Sequence, residues 1–158
     1  MKKILFAIFL MSCAVPNLAD DREQLIGVWK LQTLEVEFQD TGERKTPLGS
    51  HPNGYGIFGR EVRTMAVLTA DGRTATQTDA DRAAAFGSMI AYTGMYRLES
   101  DHWITKVDTS WNESWVGTDQ VRFFKLGGDA LTVTSTWRAY PNLEGRVARG
   151  FLTWVKEK

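Results

Sequence analysis

Arg122 is the residue in this chain whose placement offers the most chemistry. It lies mid-run on the same parity as Gln120, Phe124 and Leu126, while Val121 and Phe123 share the other parity. If the first set faces an interior, a guanidinium is buried there, which is costly unless it is paired or matched to an anion. Three readings stay open at this point. Arg122 receives the carboxylate or polar head of an apolar ligand, or it forms a structural pair with Glu35, Glu37 or Asp108, or its face points to solvent. Tyr92, Tyr96, Trp103, Trp137 and Trp154 fall at strand positions that would line the same interior, and Asp108 and Gln120 add polar atoms to it. Such an aromatic set makes either a packed core or the wall of a ligand site. With Asp108, Glu35 and Tyr96 as acid–base groups and Arg122 as anion stabiliser, a barrel interior could also support isomerase or cyclase chemistry. No residue is assigned a catalytic role on this basis.

Other chemistry finds no support in the residue types. The histidines are His51 and His102, and the sole cysteine is Cys13, so no metal-ligand spacing exists. There is no G-x-S-x-G elbow, no phosphate-binding Walker loop and no G-x-G-x-x-G turn. No cofactor is therefore expected. Basic residues do not cluster along one face, which excludes a nucleic-acid footprint. Without Lys2 and Lys3 the balance is 17 basic to 19 acidic residues, about −2.

The elements that must position these side chains are strands. From Ala91 to Ser135 four extended runs follow one another, separated at Ser100-Asp101, at a Trp-rich loop from Ser110 to Thr118, and at Gly127-Gly128-Asp129. Close spacing with no long helical pattern between them predicts an antiparallel meander, whose edges must close or pack. Leu25 to Phe38 is expected to be the first long strand. Trp29 and Leu31 oppose Leu34, Val36 and Phe38 in parity, and a bulge or strong bend near Gln32-Thr33 would return both sets to one face. Asp20 to Gln24 reads as a polar lead-in. The Pro- and Gly-rich stretch Thr46 to Gly56 reads as an ordered loop or kinked edge, followed by short strands at Tyr55 to Phe58 and Arg63 to Thr69. Asp71-Gly72 predicts a hairpin with a return strand at Arg73 to Gln77. One short helix is expected at Thr78 to Phe86, capped by Thr78 or Asp79 and stopped by Gly87. At about two turns it must dock, as a plug at one end or as a lid over a mouth. Arg138 to Arg149 reads as a polar loop, and Gly150 to Lys156 as a last strand that pairs with the first. Trp111 and Trp115 in the Trp-rich loop are either an exposed mouth or a packed anchor. The predicted fold is all-β, an antiparallel up-and-down barrel of about eight strands with one short helix. That size holds either packed side chains or one small ligand.

The N-terminus carries a positive Lys2-Lys3 followed by a short apolar run from Ile4 to Met11, the pattern of a secretion signal. The expected organisation is a signal peptide over 1–19 and one domain over 20–158. Cleavage after Ala14, or before Cys13 in the lipobox-like Leu10-Met11-Ser12-Cys13, are the alternatives, the last giving a lipid anchor. The protein is expected to be exported, periplasmic or secreted. Beyond Cys13 no cysteine remains, so the domain stands without disulfides.

Gly27-Val28-Trp29 at the head of the first strand matches the G-x-W pattern of lipocalins. Wider matches follow at Gly49 to Tyr55, Asp71-Gly72-Arg73, Ala91 to Gly94, Ser110 with Trp115 to Arg122, and Gly128 to Thr132. Together these resemble the bacterial and fungal lipocalin-like domain family over roughly Leu25 to Val155. The resemblance implies a small β-barrel with an internal cavity, with Gly27 and Trp29 structural and an arginine, Arg146 or Arg149, over the Trp29 ring. The mid-chain helix, the missing disulfides, and Thr105 and Lys106 where histidines often stand depart from the pattern. The expected function is binding of a small apolar or amphipathic ligand by Tyr92, Tyr96, Trp103, Asp108, Gln120, Arg122, Trp137 and Trp154. The alternatives are a small barrel enzyme or a structural protein with a filled interior. Neither nucleic acid nor any membrane contact beyond a lipid at Cys13 is expected.

Overall fold

The computed structural model describes residues 18–140, 143 and 145–158. The leader expected over 1–19 falls almost wholly outside the described residues, as do Pro141, Asn142 and Glu144 of the expected polar loop.

A helix rather than a bare lead-in opens the described chain. α1 (Leu18–Leu25) carries Asp20 and Asp21 in its first turn, where the helix dipole favours negative charge. Leu25 is its single buried residue and is fully buried, while Leu18 and the acidic and basic side chains face outward. The first strand therefore begins after Leu25, two residues later than expected.

The strands are β1 (Gly27–Phe38), β2 (Arg44–Lys45), β3 (Asn53–Phe58), β4 (Arg63–Thr69), β5 (Met89–Leu98), β6 (His102–Ser110), β7 (Asp119–Gly127), β8 (Ala130–Ser135), β9 (Arg138–Ala139) and β10 (Val147–Lys156). Eight of them run β1-β3-β4-β5-β6-β7-β8-β10, each antiparallel to the next, and β10 pairs back to β1 to close the barrel. Two short extras, β2 and β9, extend β1 and β10 at the rim. The register of β1 against β10 slips between Leu31 and Thr33. This bulge puts Trp29, Leu31, Leu34, Val36 and Phe38 all in the core, as the parity of the sequence required.

The two ends differ. At one, β3–β4, β5–β6 and β7–β8 turn tightly and α1 covers the barrel base. Trp29, fully buried there, donates from Nε1 to Leu25 O at 2.8 Å, satisfying a carbonyl at the end of α1. The cation over its ring is Lys156, with Nζ 5.2 Å from the ring centroid. The arginines expected there lie elsewhere: Arg149 stacks on Trp137 and Phe151, and Arg146 on Phe38. Register explains the exchange, because Lys156 is the direct β10 partner of Trp29. Gly27 completes the arrangement. Its φ is +134°, and a Cβ would stand 3.0 Å from Lys156 Cε, so the stem that carries the ammonium across needs glycine there.

At the other end, longer connections join β1 to β3, β4 to β5, β6 to β7 and β8 to β10. The hairpin expected at Asp71-Gly72 does not form. Residues 72–80 are exposed, without an alternating apolar set to bury, and β4 pairs instead with β5. Asp71 serves the neighbouring loop: its Oδ2 accepts the His51 N–H at 3.1 Å, and its own N–H donates to Leu48 O at 3.0 Å. The expected helix is present as α2 (Asp79–Gly87). Thr78 caps it through a reciprocal box in which its side chain accepts from Asp81 N–H and the Asp81 carboxylate accepts from Thr78 N–H. Those backbone donors, Thr78 first and Gln77 next, hold the Asp81 carboxyl below its ordinary value. As a barrel plug, however, α2 is excluded: none of its residues is buried, and Phe86 is exposed. It rests beside the loop that follows β4, with Ala84, Ala85 and Ser88 facing Ala70 and Arg73 across a surface cleft.

Candidate functional site

The barrel interior holds a narrow cavity of about 80 Å³ walled mainly by apolar side chains. A single water needs roughly 10–15 Å³ by the same measure, so the space admits several waters or a slender chain. Three small residues keep it open. Gly56 on β3 and Ala66 on β4 are register partners, and Gly150 lies on β10. Trp154 lies across from Gly56, where a Cβ would stand 3.5 Å from its ring.

Strand alternation brings four of the expected residues to the cavity wall. Tyr92, Trp103, Arg122 and Trp154 line it. Trp103 packs edge-on against Phe58, with ring centroids 5.0 Å apart, and beside Phe124. Tyr96 and Gln120 are also inside the barrel and buried, but off the cavity surface. Tyr96 packs against Phe58 near the α1 end, and burial pushes its hydroxyl above its ordinary pKa.

Two expected members lie outside. Asp108 sits on the outer face, 2.8 Å from Arg63, with nearly half of its side chain exposed. The alternation that turns Val107 inward turns Asp108 outward, and the β5–β6 bulge leaves it between paired residues. Trp137 is exposed because β8 leaves the ladder at Ser135, ending the alternation that would have carried Trp137 inward. Ser135 Oγ accepts the Gly150 N–H at 2.7 Å in place of a strand partner.

The structural pairings considered for Arg122 do not occur. Glu35 bonds Arg44, Glu37 bonds Arg44 and Arg149, and Asp108 bonds Arg63, all on the outer surface. The acid–base set of Asp108, Glu35 and Tyr96 is accordingly not assembled around Arg122. Nor is Arg122 solvated, being 6 % exposed. Its Nη1 donates to Val121 O at 2.8 Å and its Nη2 to Gln120 Oε1 at 3.2 Å. The Gln120 amide is oriented by its own Nε2, which donates to Thr118 Oγ1 at 2.9 Å.

Sequence reasoning missed a second guanidinium. Arg138 on β9, expected in a polar loop, also donates to Gln120 Oε1. It lies 4.3 Å over the Trp115 ring and 5.6 Å from Tyr140. Burial, and more weakly the charge of Arg122, lowers its pKa from the ordinary guanidinium value. Trp115 is a packed anchor rather than an exposed mouth residue. It is buried, meets Trp111 edge-on at 4.8 Å and Tyr92 at 5.5 Å, and contributes to the cavity wall. The Asn-capped turn Glu113–Trp115 sets it there.

A closed eight-stranded antiparallel barrel, sealed at one end by a helix and a buried G-x-W tryptophan, with a narrow apolar cavity, defines a lipocalin-like architecture. A family model described as a lipocalin-like domain matches residues 26–157. The chain belongs to that family, as the resemblance in its sequence implied. No curated protein matches the sequence.

Proposed function

We propose that this protein binds a small apolar or amphipathic molecule inside its barrel. The observation that carries the reading is the apolar cavity held open by Gly56, Ala66 and Gly150, with Arg122 on its wall. A core meant only to be filled would place larger side chains at Ala66 and its neighbours, because interiors close-pack. The setting we infer is exported, periplasmic or secreted, supported by Lys2-Lys3 and the apolar run that follows, with Cys13 as a lipid attachment point in the anchored form.

One observation favours a second reading, a structural barrel filled by its own side chains. The cavity is about 80 Å³, below the roughly 300–1,000 Å³ common for drug-sized ligands. Titration with decanol, followed by tryptophan fluorescence, separates the two. Trp103, Trp115 and Trp154 all border the space and report its occupancy. The ligand-binding reading predicts saturable binding to the native protein. It predicts loss of that binding in Ala66→Leu, which fills the cavity from β4. The same variant is expected to keep or raise the melting temperature, since cavity filling commonly contributes about 0.5–2 kcal/mol. Absence of saturable binding in the native protein favours the filled barrel.

A further inference from the structure

We propose that the polar end of the cavity is a seat for an oxyanion, and that the ligand is a slender amphiphile whose carboxylate head docks between Arg122 and Arg138. The proposal deepens the ligand-binding reading above and rests on it.

Two guanidiniums converge on a single neutral oxygen, Gln120 Oε1. Among the described residues, neither has a carboxylate within ion-pair distance. The neighbouring acids are engaged on the outer surface: Asp119 with Lys106 and Arg97, Glu37 with Arg44 and Arg149, and Asp108 with Arg63. Arg122 is buried and Arg138 half-buried, and two like charges held together there without a carboxylate partner cost stability. An anion would relieve it.

The donors remain in surplus. Arg138 Nε is buried with no hydrogen-bond partner, and an amide oxygen offers only two lone pairs for both forks. Aromatic faces brace the guanidiniums, with Trp115 and Tyr140 beside Arg138 and Tyr92 6.0 Å from Arg122. A planar carboxylate matches the guanidinium fork. Arg122, Trp115, Tyr140 and Tyr92 line the apolar cavity, and Arg138 stacks on the Trp115 ring beyond its surface, so a head held at Arg122 directs its tail toward Trp154 and Gly56. The narrowness of the space selects an unbranched or flat tail.

The test compares decanoate, decanol, decyltrimethylammonium and decyl phosphate on the native protein by tryptophan fluorescence titration, repeated on Arg138→Met, Arg122→Met and the surface control Arg63→Gln. Decanoate is expected to bind at least about tenfold more tightly than decanol, the scale of a hydrogen bond to a charged group, and the ammonium compound more weakly than either. Arg138→Met should bring decanoate down to the level of decanol while decanol affinity persists. Its ligand-free melting temperature should hold or rise, because one of two like charges has gone; a purely structural arginine would lower it. Arg63→Gln should leave the preference intact.

Equal affinity for decanoate and decanol would overturn the oxyanion seat and leave the ligand-binding reading standing. Binding of none of the four would overturn both. Tighter binding of decyl phosphate than of decanoate would overturn the carboxylate assignment. If Arg122→Met does not fold, Arg138→Met decides the matter alone, and an unchanged decanoate preference in it would refute the role of Arg138.

Discussion

Trp29→Ala is expected to lower the stability of the barrel by about 3–5 kcal/mol, the range for removing a large buried aromatic. Several links break at once. Trp29 is fully buried under α1, its Nε1 donates to Leu25 O, and its ring carries the Lys156 ammonium. The truncation opens a void at the closed end and leaves Leu25 O without that donor. Against an ordinary total of about 5–15 kcal/mol, the loss amounts to a large share of the whole. At roughly 3–4 °C per kcal/mol for a domain of this size, the melting temperature should fall by about 9–20 °C. Trp29→Phe keeps most of the ring and loses the N–H, and should cost about 1–3 kcal/mol. Trp137→Ala removes the same side chain from an exposed site where Arg149 stacks on it, and should cost less than about 1 kcal/mol. Thermal unfolding followed by circular dichroism orders the three variants. An Ala variant at position 29 as stable as the Trp137 variant would contradict the sealed-base account.

The second large effect is expected at Gly94. It is buried on β5, where the register against β6 slips and a Cβ would stand 2.0 Å from the Lys106 carbonyl oxygen. The obstacle is backbone, not the flexible tip of a side chain. Gly94→Ala must therefore spread two paired strands of a closed barrel, which have little room to part. Overpacking ordinarily costs about 1–3 kcal/mol and occasionally more, and this position should fall at or beyond the upper end. Gly127→Ala is the comparison, because nothing lies within 4 Å of its added Cβ. It should stay within about 0.5 kcal/mol of the native protein. Urea denaturation curves compare the two directly. A Gly94→Ala midpoint equal to that of Gly127→Ala would show that the bulge can absorb a methyl group.

Much of the barrel was legible because its causes are local. The parity change between Leu31 and Leu34 demanded a bulge or strong bend, and the register slips at that place. Gly127-Gly128-Asp129 and Ser100-Asp101 marked tight turns, which join β7 to β8 and β5 to β6. The last strand pairs with the first because an open meander leaves two edges unsatisfied. Thr78, one of the two caps the sequence offered, is the residue that caps α2.

What stayed hidden depends on contacts distant in sequence. α1 reads as polar lead-in because Leu25 is its single buried residue. Asp71-Gly72 looks like a hairpin, but the partner of β4 arrives only at Met89, and Asp71 spends its carboxylate on His51. Of the site, the inward face of β7 was readable by alternation, so Gln120 and Arg122 were found. Parity also held the answer for Asp108, since Val107 shares the inward parity of Trp103. Arg138 was not readable, because its inward position follows from the break of β8 at Ser135 and the short β9–β10 pairing. No local pattern announces that break.

The central claim is that the barrel holds a small molecule. Native mass spectrometry of the protein purified from its own source, followed by denaturation and extraction, tests it most directly. The account predicts a mass above that of the chain in the native spectrum, released on unfolding, from a slender and largely apolar compound. A native mass equal to the chain alone, unchanged after incubation with decanol and decanoate, would contradict it.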